Sequence, residues 1–294
     1  MMHLPITRRL VALLLPLFLV VTACDSGAPT ATDDFTVTSA DAAEAVAAAL
    51  GETTGGAIAE VEDAAGGVYH GDPSSLLTSK AFSRDCDYDD ANVWWTCTVD
   101  GSVGNNLRTL SIDRTVRLQF FDASGTPQPR YQTSDGQTAE SLTYTILEGA
   151  GDFEGPRLAG RYTINLNDAD PSQWTVANID SDTLSVNGQR SHARFDSLTT
   201  ARTIRIRNAQ ASSTFEDVVF VQGSGLHSGT IQGTYAAEVE RTRDGESVTR
   251  SIALEYVAEI ENGQATVTIT GDGVRFNGDA FTFTTNLETG DVVE

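Results

Sequence analysis

From about Ser79 onward, apolar and polar residues alternate with a period of two. Leu110, Ile112, Val116, Leu118 and Phe120 fall on one phase, with Ser111, Asp113, Thr115, Arg117 and Gln119 on the other. Leu142, Tyr144 and Ile146 repeat the pattern, as do Leu158, Tyr162, Ile164 and Leu166. Farther on, Val248, Ile252, Leu254, Tyr256, Ala258 and Ile260 alternate with Thr249, Ser251, Glu255, Glu259 and Glu261. Successive strand side chains point to opposite faces, so the pattern predicts half-buried strands with one wet face. Turn signals separate them at Asn187-Gly188, Asp244-Gly245, Asn262-Gly263 and Asn277-Gly278. About twelve strands follow, joined mostly by short turns with no helical period between them. That predicts a mostly β fold at 79–294, a large antiparallel meander whose curved sheet is barrel-like or folds as a sandwich.

A short N-terminal helical segment, 39–78, precedes the strands and is expected to pack on them. Ser39 is placed to cap a helix running from Asp41 to Leu50, with acids in its first turns to suit the helix dipole. Gly51 ends it, and Gly55-Gly56 separates it from a weaker helix over Ala57 to Ala65. Val46, Ala49 and Leu50 form a thin apolar stripe, without the basic and bulky residues of a membrane-surface helix. The segment from Trp174 to Gly188 resembles that from Ala265 to Gly278. An internal duplication of a six-strand unit accounts for this as well as chance similarity between two hairpins does.

The N-terminus has its own pattern. Arg8 and Arg9 precede an apolar run from Leu10 to Val21, broken by Pro16 and closed by Thr22, Ala23 and Cys24. A basic head, a short apolar core and small closing residues predict a secretory signal peptide over 1–23. The run is too short to span a hydrocarbon core, which needs about 20 residues. Val21-Thr22-Ala23-Cys24 resembles the lipobox of bacterial lipoproteins. The resemblance implies cleavage before Cys24 and lipidation of its thiol, hence a membrane anchor in the bacterial cell envelope. Stable anchoring takes two or more acyl chains, which a di- or triacylated Cys24 supplies. Asp25 resembles an inner-membrane retention signal of enterobacterial lipoproteins, a rule that does not carry over to all bacteria, so inner and outer membrane both stay open. Residues 24–38 are small and polar and are expected to be a flexible tether.

Charge narrows the partners. The net charge is −22, with Lys80 the only lysine. Such a surface repels nucleic acid and anionic headgroups and suits a salt-adapted, solvated exterior. With Cys24 lipidated, Cys86 and Cys97 remain as an even pair in an exported chain, which predicts a disulfide. A hairpin turning at Ala91-Asn92 sets Cys86 opposite Cys97 and Tyr88 opposite Trp95, with Val93, Trp95, Cys97 and Val99 on one face. Trp94 falls on the other face and is expected to pack against a neighbour.

The search for chemistry is mostly negative. No phosphate loop, metalloprotease helix or dinucleotide turn is present. Gly223-Ser-Gly-Leu-His-Ser-Gly229 has the wrong phasing for a nucleophile elbow and reads as a loop between strands. His70, His192 and His227 are scattered, and alternation sets His192 beside Arg190 and Arg194 on the apparent wet face. Asp85-Cys-Asp-Tyr-Asp-Asp90 starts like a calcium loop but lacks its glycine and closing glutamate; the clusters at 167–170 and 178–182 are similar fragments. No catalytic residue, metal ligand or cofactor is assigned. The expectation is a non-enzymatic envelope lipoprotein: a binding, carrier or structural module. It touches the membrane through Cys24 and takes an apolar ligand or another envelope protein, but no nucleic acid. The alternatives are an exported hydrolase of sugars or esters and an adhesion or assembly subunit. The carrier version has a physical basis, because the small helix covers only part of a dozen strands' apolar face. A curved sheet with a helix in its mouth resembles the periplasmic carriers that shuttle lipoproteins, a resemblance of architecture alone.

Overall fold

A computed structural model describes residues 35–69, 82–164, 171–200, 203–243, 245–276 and 279–293. The signal peptide, Cys24, His70, Lys80, the cluster at 167–170 and the Asn277-Gly278 turn lie outside those residues.

The chain opens with β1 (Val37–Thr38), α1 (Ser39–Leu50), a 3-10 turn (Glu52–Thr54) and α2 (Ala57–Tyr69). The strands β2 (Phe82–Asp89), β3 (Trp94–Gly104), β4 (Thr109–Phe121), β5 (Pro127–Gln128), β6 (Ser141–Glu154), β7 (Leu158–Ile164) and β8 (Gln173–Ala177) follow. Then come β9 (Thr183–Thr199), β10 (Ile204–Val221), β11 (Gly225–Arg243), β12 (Glu246–Glu261), β13 (Gln264–Asp272), β14 (Val274–Arg275), β15 (Phe281–Asn286) and β16 (Val292–Val293). All but β1 and β14 join one fourteen-stranded antiparallel sheet, ordered β16-β15-β13-β12-β11-β10-β9-β7-β6-β4-β3-β2. β5 adds to β4, and β8 lies between β6 and β9. β7 and β8 share that rank: β6 pairs with β8 over Ser141–Thr145 and with β7 over Gly149–Glu154.

The sheet curls. Arg108, between β3 and β4, donates Nη1 to Thr289 O at 2.7 Å and pairs with Asp291 at 2.6 Å. Residues from strand positions near the two ends of the order therefore meet, which a single flat sheet does not allow. Inward positions carry the core, including Leu118, Phe120, Tyr144, Trp174, Phe215, Ile231, Tyr235, Leu254 and Ile269. The outer face of β12 carries Thr249, Ser251, Glu255, Glu259 and Glu261, all exposed. Between β12 and β13, Asn262 at φ 49° and Gly263 at φ 78° make a two-residue turn whose twist matches the flanking strands.

The helical segment differs from expectation in three ways. The N-cap of α1 is Thr38, not Ser39: Thr38 Oγ1 accepts from Asp41 N at 3.3 Å, and Thr38 N donates to Asp41 Oδ2 at 3.0 Å. This reciprocal box satisfies two backbone and side-chain ends at once, and Ser39 is the first helical residue. Second, α1 is not striped. Ala42, Ala43 and every residue from Ala45 to Leu50 are buried, so the helix is enclosed almost all round. Alanines suit this place because their small side chains fit a helix inside a curled sheet. Third, the tether stops short of residue 38. Phe35 and Val37 are buried, Val37 pairs with Val274, and Arg250 Nε donates to Phe35 O at 3.1 Å.

The two resembling segments fold differently. β8 pairs with β9, placing Trp174 opposite Gly188, whereas β14 pairs with β1 and β13 with β15. Asn187-Gly188 is no turn but lies within β9, where Gly188 packs tightly against Trp174. The structure thus gives the proposed repeat no common pairing.

Candidate functional site

The β2–β3 hairpin carries the Cys86–Cys97 disulfide, with Cys86 opposite Cys97 and Tyr88 opposite Trp95 as the spacing requires. Val93 belongs to the turn at φ 57° and not to the strand face. Asp89 is occupied there: its carboxylate accepts from Ala91 N, Asn92 N and Asn92 Nδ2, at 2.9, 3.2 and 2.7 Å. Trp94 packs under the Arg117 guanidinium, 3.8 Å from the ring centre, and Trp95 Nε1 donates to Pro129 O at 2.6 Å.

The charged residues that matter lie inside the sheet. Arg190, His192, Arg194 and Asp196 on β9 are 1–2 % exposed, so His192 and its arginines face the interior and not the wet face. Leu184, Val186 and Leu198 set the phase: even-numbered positions of β9 point inward along its length. The apparent apolar phase of Ala193 and Phe195 misleads, since Phe195 is exposed, with the Arg161 guanidinium 5.3 Å from its ring centre. Arg114 of β4, Arg207 of β10 and Glu60 of α2 are buried too.

These groups seat the helices. An α-helix ends on carbonyls without intrahelical donors, and its C-terminus carries a partial negative charge. Arg194 Nη1 donates to Ala48 O at 3.0 Å and to Thr54 O at 2.8 Å. Arg190 Nη2 donates to Gly55 O at 3.0 Å, and Thr54 Oγ1 donates to Ala48 O at 2.7 Å. Gly55, at φ +66°, lies flat on Tyr162; a Cβ there would stand 2.1 Å from the ring. The cations are in turn held by acids. Arg190 Nε lies 3.0 Å from Glu60 Oε2, Arg114 pairs with Asp63, and Asp196 bridges Arg194 at 2.7 Å and Arg207 at 2.5 Å. Nearer the start of α1, Arg205 pairs with Asp41.

Burial sets the protonation states. Burial would raise the Asp196 carboxyl, but Arg207 and Arg194 outweigh it and hold it below the usual carboxylate range. For Glu60 burial wins over the pull of Arg190 and Arg114, and the carboxyl is raised. Burial, then Arg190 and Arg194, push His192 well below its ordinary 6.5, so it is neutral. Arg190 Nη1 stands 3.1 Å from His192 Nδ1; arginine only donates, so Nδ1 accepts and the proton sits on Nε2. Burial also pushes Tyr162 and Tyr235 up to about 12.

Beside this seat opens a cleft of about 1010 Å³. Its floor is Ala40 and Ala43 of α1 with Thr53 and Thr54; Thr54 is held by Arg194, so the ionic seat fixes one wall. Phe281 and Phe283 of β15, Val292 and Val293 of β16, and Leu198 of β9 give it apolar sides. The end of β6, the β6–β7 turn and the start of β7 supply Phe153, Glu154, Arg157 and Leu158. Gly51 abuts Gly290 at one end, where a Cβ on Gly51 would come 2.4 Å from Gly290 Cα. Behind the floor, Glu62 of α2 hydrogen-bonds Glu52; burial first, then Glu52 and Glu288, raise it to about 8.

Of the residues singled out by sequence, the structure joins Cys86 to Cys97 and buries His192 in the seat. His227 is exposed on β11 beside the β10–β11 turn. Neither His192 nor His227 has a serine or carboxylate partner among the described residues, and there no three His, Cys, Asp or Glu side chains converge as metal ligands would. Sequence reasoning missed Glu60, Arg114, Arg190, Arg194, Asp196 and Arg207. The available signal was phase: Arg114 falls between inward Ile112 and Val116, and β9 holds its phase from Leu184 to Leu198. Comparisons with protein-family models, curated proteins and solved structures found no match to the chain.

Proposed function

We propose that the protein is a non-enzymatic cell-envelope lipoprotein, anchored through lipidated Cys24, whose folded unit binds or carries an apolar ligand. The observation that supports carriage is the cleft of about 1010 Å³, walled by Phe281, Phe283, Leu158 and Leu198. Ligand sites are concave, mostly apolar and of this size class. The seat beside it is spent on helix carbonyls and counter-ions, which makes it a support for the cleft wall. The lipobox-like Val21-Thr22-Ala23-Cys24 and the disulfide support a place outside the cytoplasm.

Mass spectrometry of the full chain purified from envelopes tests both halves. The expected species begins at Cys24, carries acyl groups and releases an apolar small molecule on denaturation. A product starting elsewhere without acylation overturns the anchor. An acylated protein that neither yields nor takes up any apolar molecule overturns carriage and leaves a structural role.

A further inference from the structure

We propose that the cleft takes a zwitterionic phospholipid, its acyl chain on the apolar walls and its phosphate and ammonium on the charges of the mouth; this rests on the carrier reading above. The walls match a hydrocarbon chain. Phe281 and Phe283 stack with ring centres 6.1 Å apart at 22°, presenting a continuous aromatic surface on β15. Ala40 and Ala43 across the floor leave room that larger residues would fill.

The mouth decides the headgroup. Of the cleft's two arginines, Arg108 is engaged by Asp291 and Thr289 O. Arg157 is exposed and forms no salt bridge among the described residues. Glu154, three residues earlier at the end of β6, is likewise exposed and forms no salt bridge among the described residues, and Glu44 of α1 lines the same space. The lining therefore offers one cation without a salt bridge among the described residues, together with the acids Glu154 and Glu44, the latter also within the field of Arg207. A fatty acid would satisfy Arg157 but set its carboxylate against Glu154 and Glu44. A cationic amphiphile would meet Arg157. An anionic phospholipid also faces the field of a chain with net charge −22. A headgroup holding phosphate and ammonium together satisfies both signs: the phosphate takes the guanidinium fork of Arg157 and the ammonium a glutamate.

The test uses the full chain, delipidated in a non-ionic detergent and read by native mass spectrometry. The probes are phosphatidylethanolamine, phosphatidylglycerol with the same acyl chains, and a long-chain alcohol lacking a charged headgroup. The expected result is at least tenfold more retained phosphatidylethanolamine than phosphatidylglycerol. Glu154→Arg, an exposed change that removes the partner of the ammonium, should erase that preference while retention of the alcohol stays the same; Arg157→Glu should lower retention of both phospholipids. Equal retention of both phospholipids, or a preference unaltered by Glu154→Arg, overturns the headgroup assignment and leaves carriage standing. Failure to retain any of the three probes overturns the carrier reading with it.

Discussion

The inner face of β12 and β13 and the inner face of β9 belong to one sheet and have opposite chemistry. The first presents Ile252, Leu254, Tyr256, Ala258 and Ile260 beside Ala265, Val267 and Ile269. The second presents Arg190, His192, Arg194 and Asp196, equally buried. The difference lies in what each face meets. β12 and β13 face other side chains, where burial of methyl groups is favourable at about 25 cal/mol per Å². β9 faces the C-terminal end of α1 and the turn after it, where Ala48 O, Thr54 O and Gly55 O require donors. Within one sheet, the positions that meet side chains are apolar and those that meet helix-end carbonyls carry guanidinium groups.

That contrast can be broken in several places. Asp196→Ala should have the largest effect, about 3–5 kcal/mol of lost stability, because it strands two buried guanidinium groups. Ile269→Val in the apolar half should cost only about 0.5–1.5 kcal/mol. Chemical denaturation of both variants checks the comparison, and equal losses would refute it. Reducing the Cys86–Cys97 bridge should cost roughly 3 kcal/mol, if loop-closure entropy governs it, and leave the interior seat unchanged.

The acid groups give two pH windows with opposite signs. Asp196 has its folded value below the ordinary 3.8, so its contribution is complete above that pH and is lost as pH falls through the folded value. Glu62 stands at about 8 against an ordinary 4.5, so its contribution is complete below 4.5 and is lost as pH rises through 8. Glu62→Gln keeps the neutral form; the melting temperature should rise over wild type at pH 9 and match it at pH 4. An unchanged difference at the two pH values would show that Glu62 ionises normally. The smallest effect is expected from Arg108→Ala. This half-exposed pair with Asp291 should contribute about 0.2–1 kcal/mol, measurable in a double-mutant cycle and reduced by salt.

The strands were legible because β12 and β4 keep the alternation that one wet face demands. The disulfide was legible because Ala91-Asn92 fixes the register of Cys86 and Cys97. The seat was hidden because an inward arginine reads as an outward one unless the phase is followed through it, as from Val186 to Leu198. The burial of α1 was hidden for another reason: alanine is compatible with both a wet face and an enclosed one. The cleft depends on Phe281, Phe283, Arg157 and Ala43, residues brought together only by the curl.

The Arg108–Asp291 contact also bears on the order of folding. Most neighbouring strand pairs in the sheet are consecutive in the chain, so their pairings are short in sequence. This contact instead spans 183 residues, and the β1–β14 pair ties Val37 to Val274. Loop closure on that scale follows local zipping. On that ordering the contact between the two ends of the sheet forms after the local pairings. Loss of Arg108 should accordingly quicken unfolding and leave the refolding rate almost untouched.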